Sequence, residues 1–114
     1  MGYDTAAKTD AESVVPEEHG GMWFLREELE TSSLGFTVLE LESEASGKEH
    51  DETETGQEEI YYVVSGSIDV ELTDAGETVS LEAEDAIRID PDESRQIHNR
   101  GDERAELVLV GVPQ

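Results

Sequence analysis

The chain has 114 residues, with 30 Asp and Glu against 7 Lys and Arg and a formal net charge of -23. That length suits one domain with one core. The charge excludes nucleic acid and anionic membrane as partners, because no basic patch is available to neutralise phosphates.

The acids are spread along the whole sequence with strand patterns between them, which argues against a disordered acidic tail. A calcium protein of the EF-hand kind is disfavoured because its loop pattern is missing. Adaptation to molar salt is the reading that fits. There a Debye length of about 3 Å removes the self-repulsion that opposes compaction. Low lysine content, with only Lys8 and Lys48, agrees with this. With no cysteine, disulfides and thiol chemistry are out. No apolar run reaches the ~20 residues of a membrane-spanning helix, and the N-terminus has no basic region followed by an apolar stretch. A cytoplasmic location is the default expectation.

Residues 1–20 are small, polar and acidic and read as a flexible or loosely docked arm. Residues 21–114 form the domain. Met22-Trp23-Phe24-Leu25 is the first apolar cluster, expected as a short strand or a segment packed on a sheet. Arg26 to Glu30 reads as one helical turn. Gly35 to Glu42 is a strand with apolar groups on both faces. Residues 43–58 are a long polar loop carrying His50, and a loop of that length in a small domain is often functional.

The strongest pattern follows. Ile60-Tyr61-Tyr62-Val63-Val64 is β-branched and aromatic, Gly66-Ser67 suits a type II′ turn, and Ile68, Val70 and Leu72 alternate with polar residues. This predicts a strand, a two-residue hairpin turn and a returning strand. Alternation places Glu59, Tyr61 and Val63 on one face and Ile60, Tyr62 and Val64 on the other. Short strands follow at Thr78–Leu81, Ala86–Ile89 and Arg95–Asn99, with turns between them. Ala105 to Val112 is nearly continuous and reads as a strand buried on both faces. Many short strands, frequent turns and no long helix predict an all-β sandwich or barrel.

Two spacings carry a family resemblance. Glu59 and Gly66 are separated by six residues, and Glu84, Asp90, Asp92, Arg95 and Asn99 run in the register Gly-x5-Pro-x-Gly-x2-His-x3-Asn. From about residue 36 to 112 the chain resembles the cupins, whose first motif ends in that Glu-to-Gly spacing and whose second has that register. The resemblance implies an all-β, single jelly-roll barrel, the double-stranded β-helix. Cupins typically hold a divalent transition metal with three His and one Glu. Here Asn99 and Glu59 match, but Arg95 stands where the third His belongs. The two His of the first motif fall on Thr53 and Thr55 in the preferred register, which also puts Gly47 on the leading Gly. They fall on Glu52 and Glu54 with a gap one residue longer, and on His50 and Glu52 with a gap two residues longer still.

An inward Glu59 needs a partner, since a lone buried carboxylate is expensive. The expectation is that the Arg95 guanidinium replaces the metal by pairing with Glu59. Two functional readings follow. In the favoured one the barrel binds a polar or anionic small molecule without metal; Glu59, Tyr61, Arg95 and Asn99 form the pocket, and Arg95 clamps an anion. In the other it is a metal-dependent oxygenase or isomerase using His50, Glu52 and Glu59 as ligands. An empty dimeric scaffold is a third alternative. The exposed face of Ile60, Tyr62 and Val64 predicts a homodimer, and His98, on the other face from Arg95, a structural or interface role.

Overall fold

The structure, a computed structural model, describes residues 2–113. Eight strands form two antiparallel sheets: β1 (Gly20–Phe24), β2 (Gly35–Leu41), β3 (Gln57–Ser65), β4 (Ser67–Leu72), β5 (Glu77–Glu82), β6 (Ala86–Ile89), β7 (Arg95–His98) and β8 (Ala105–Pro113). The first sheet has the order β1-β2-β8-β3-β6 and the second β5-β4-β7. They pack as an all-β jelly-roll barrel: the strand pattern predicts the all-β class, and the resemblance implies the jelly roll. No helix among the described residues is long and apolar enough to cross a membrane.

The core follows the alternation of each strand. Leu39 and Leu41 from β2, Tyr61 and Val63 from β3, and Leu107 and Leu109 from β8 meet Ile68, Val70, Leu81 and Ile97 of the opposing sheet. In β3 the expected faces hold: Tyr61 and Val63 are fully buried while Ile60, Tyr62 and Val64 are exposed. In β8 the expectation of burial on both faces fails. Ala105, Leu107 and Leu109 are buried, but Val108 and Val110 are only half-buried and Val112 is exposed. The barrel is one sheet thick, so β8 has an interior only on one side. In register across the outer face, Trp23 of β1, Val38, Val108 and Tyr62 are successive neighbours.

The predicted hairpin also fails. β3 pairs with β8 and β6, whereas β4 pairs with β5 and β7, so the two strands lie in different sheets. Gly66 is a corner, not a hairpin turn. It has φ of 78°, and a Cβ there would lie 2.9 Å from both the Ala105 Cα and the Arg104 carbonyl oxygen. The β3–β8 register shifts between Val63 and Ser65, just before this corner. A bulge and a positive-φ glycine redirect the chain over the start of β8.

Arg26 to Glu30 forms a single turn, with the Leu29 N–H donating to the Leu25 carbonyl at 3.0 Å, and it ends at Glu30 with φ of 53°. The N-terminal segment lies beside β1. The Val14 N–H donates to the Met22 carbonyl at 2.9 Å, and Lys8 sits 4.2 Å above the Trp23 ring while its Nζ reaches Glu40 at 2.6 Å.

Candidate functional site

Glu59 enters the barrel because β3 alternation turns the Gln57, Glu59 and Tyr61 side inward. Opposite stands Arg95, the first residue of β7. Its side chain is completely buried. Arg95 Nη2 donates to Glu59 Oε1, Nη1 donates to the Glu93 carbonyl at 2.7 Å and the Asp90 carbonyl at 3.2 Å, and Nε approaches Tyr61 Oη at 3.5 Å. Tyr61 Oη lies 3.4 Å from Glu59 Oε1 as donor. The guanidinium thus bridges the two sheets and holds Glu59 in place. Each of its three nitrogens donates to a protein group and the side chain is fully buried, so any role in binding runs through Glu59.

The long polar loop adds the third element. The His50 N–H donates to the Arg95 carbonyl and the Arg95 N–H to the His50 carbonyl, each at 2.9 Å. Farther along, Ser46 bridges His98. The loop therefore runs along the free edge of β7 and carries His50 to the site. His50 Nε2 is 3.5 Å from Glu52 Oε2 and 3.9 Å from Glu59 Oε1, and Nδ1 is 3.1 Å from the Lys48 carbonyl. The His50 pKa is raised, chiefly by the Glu59 carboxylate beside it, against the opposing effect of burial. Burial pushes the Glu59 carboxyl up, but His50 and Arg95 together outweigh it and its pKa is lowered. The Tyr61 hydroxyl is pushed up by burial and by Glu59, so it stays protonated.

The expected first-motif register is corrected by this geometry. Thr53 and Thr55 do not face Glu59. The Thr53 hydroxyl donates to Asp51 and the Thr55 hydroxyl to Glu52. A turn closed by the Gly56 N–H on the Glu52 carbonyl at 2.8 Å inserts extra residues before β3. His50 and Glu52 occupy the places beside Glu59 instead.

These three side chains border a cavity of about 330 Å³, lined also by Met22, Phe24, Arg26, Gly35, Phe36, Thr37, Gln57, Leu109 and Gly111. Tyr61, Arg95 and Asn99 are not among its lining residues. Tyr61 and Arg95 support it from behind. Asn99 holds a different place: its Nδ2 donates to the Leu41 and Glu103 carbonyls at 2.9 and 2.8 Å, and its Oδ1 accepts from the Gly101 N–H at 3.1 Å. His98 is likewise outside the cavity, bonded to Glu71 at 2.8 Å and Ser46 at 2.7 Å. Arg26, Gln57 and the apolar wall were not marked as site residues in the sequence. The available signals were a rare cation after β1 and the glycines Gly35 and Gly111.

The Cupin domain family (Cupin_2) matches residues 37–111. The chain belongs to the cupin family. No curated protein matches its sequence. Among solved structures, the cupin resembles a cupin protein from Bacteroides fragilis with 24% identity and TM-score 0.79, covering 99% of this chain and 86% of that one. It also resembles a sugar phosphate isomerase of the cupin superfamily from Silicibacter pomeroyi (20%, TM-score 0.74, covering 96% and 76%). A third is the polyketide cyclase RemF from Streptomyces resistomycificus (20%, TM-score 0.76, covering 97% and 80%). At these identities the likeness establishes the fold, and the varied activities of such neighbours leave the chemistry to the site.

Cupins often hold a metal, and in this one the donor atoms of His50, Glu52 and Glu59 lie within 4.8 Å of one another. One imidazole and two carboxylates could gather a divalent cation. They fit the family's metal poorly, because the oxygen of Glu59 that faces His50 already accepts from the buried Arg95. An ion there would compete with a fixed positive charge.

Proposed function

We propose that this cupin binds a polar small molecule in the cavity beside His50, Glu52 and Glu59, without the usual metal. The observation that carries this is the fully buried Arg95 guanidinium on Glu59, which supplies the positive charge a metal would otherwise bring. The cavity volume suits a small ligand. Met22, Phe24 and Leu109 offer apolar wall, and His50, Glu52, Glu59 and Gln57 offer hydrogen-bonding groups. His50, beside two carboxylates that favour its protonated form, can pass a proton to or take one from a bound polar group.

The test is elemental analysis of protein purified in high salt without chelator, repeated after incubation with excess Mn, Fe or Zn. The expected result is metal far below one equivalent in each case. Near-stoichiometric metal, lost in His50→Ala, would overturn the proposal. It would favour the second reading, a metal-dependent oxygenase or isomerase, whose support is the close approach of the three donor side chains.

A further inference from the structure

A chain with 30 acidic and 7 basic side chains leaves few cations without a partner. Arg88, Arg95, Arg100 and Arg104 each contact one or two carboxylates. Among the described residues Arg26 is the only arginine with no carboxylate within 4.0 Å. Its one side-chain hydrogen bond, from Nη2 to the Ser32 carbonyl, is long at 3.4 Å. Yet Arg26 lines the same cavity as His50, Glu52 and Glu59.

Strand register shows how the two ends of that cavity are related. The Leu25 N–H donates to the Phe36 carbonyl, so Arg26 follows at the level of Gly35. Gly35 pairs with Gly111, and Gly111 pairs with Glu59. Arg26 and Glu59 thus lie on one cross-strand row, which continues past Glu59 to Ile89 of β6. Three strand spacings separate them, about 14 Å at ~4.8 Å each. The two positions between are glycines, and the row's floor is bare backbone. A Cβ on Gly111 would meet the Gln57 side chain at 2.9 Å, whereas at Gly35 the nearest atom would be the Gly111 carbonyl oxygen at 3.4 Å. The Gln57 side chain lies over both glycines, its Nε2 3.7 Å from where a Gly35 Cβ would stand, so its amide is the polar group between Arg26 and Glu59.

We propose that Arg26 reads an oxyanion, carboxylate or phosphate, on the ligand of this cavity. The ligand's uncharged polar end meets His50 and Glu59. A guanidinium with free donors can take such a group in bidentate fashion. The carboxylates of Glu52 and Glu59 repel an anion from the other end, so the same charges fix the ligand's direction. The anion-binding role expected of Arg95 passes to Arg26, because Arg95 is buried and bonded on all sides while Arg26 is exposed and unpaired. This inference rests on the reading of the cavity as a small-molecule site.

The experiment screens small carboxylates and sugar phosphates, each beside its neutral counterpart (the amide or the unphosphorylated sugar), at one fixed salt concentration. Thermal shift finds binders and calorimetry gives their Kd. Anionic members are expected to bind at least tenfold tighter than their neutral partners. Arg26→Gln should cut that ratio about tenfold, with Arg26→Lys between, and the carboxylate and phosphate arms show which oxyanion is preferred. Equal binding of anionic and neutral members, or a ratio unchanged in Arg26→Gln, would overturn the role of Arg26 and leave the cavity reading intact. Failure of every compound to bind the unmodified protein would overturn both.

Discussion

Replacing Arg95 with Met tests the link between the two sheets most directly. Met matches much of the length of the side chain but donates nothing. The substitution leaves the Glu59 carboxylate without its cation and the Asp90 and Glu93 carbonyls without a donor. Removing one partner of a buried ion pair costs about 3–5 kcal/mol. Glu59 borders the cavity and keeps His50 at 3.9 Å, which allows partial rehydration and places the loss near the lower end, about 3 kcal/mol. At roughly 4 °C per kcal/mol for a chain of this size, the unfolding midpoint should fall by about 12 °C. The assay is thermal unfolding by circular dichroism in high salt at pH 7.5 and pH 4. Glu59 has a lowered pKa in the folded state, so its pairing contributes stability above the unfolded carboxylate value of about 4.3 and loses it as pH falls through the folded value. The gap between the two proteins should therefore narrow on acidification. The double variant Arg95→Met with Glu59→Gln should regain much of the loss, since no uncompensated charge remains. A deficit below about 1 kcal/mol, a gap equal at both pH values, or a double variant no better than the single one would refute the reasoning.

Three further outcomes are expected. We propose that the acidic surface is an adaptation to molar salt: strand signal should fade between molar and millimolar KCl, as the Debye length grows from about 3 Å toward 10 Å and beyond, and an unchanged spectrum would count against it. We propose a homodimer through the outer face of the first sheet, where Trp23, Val38, Val108 and Tyr62 form one row; Tyr62→Glu should give a monomer by light scattering, and a monomeric unmodified protein would exclude this interface. Gly66→Ala should cost about 1–3 kcal/mol in chemical denaturation, because φ is 78° and the new methyl would press on Ala105 and Arg104; a neutral result would mean the corner can relax.

The faces of β3 were legible in the sequence because side-chain direction alternates with period two whatever the strand pairs with. Glu59 inward and Tyr62 outward required nothing more. The partnership of Glu59 with Arg95 was legible too, since an inward carboxylate must find a positive charge and the jelly-roll register placed one opposite. Other features depended on closure at a distance. The Gly66 corner reads locally as a hairpin turn, and only the pairing of β3 with β8 shows that the chain changes sheets. The places of His50 and Glu52 depended on a turn that absorbs residues 53–56, and counting back from Glu59 could not reveal how many residues it takes. Arg26 and Glu59 stand 33 positions apart in sequence, and β2 and β8 set them on one row. The sequence by itself determined charge and the faces of β3, because these follow from residue identity and local periodicity; the Glu59–Arg95 pairing needed the jelly-roll register of the resemblance as well. Sheet membership, loop register and the composition of the cavity were decided by tertiary structure, because each depends on which distant strands come to lie side by side.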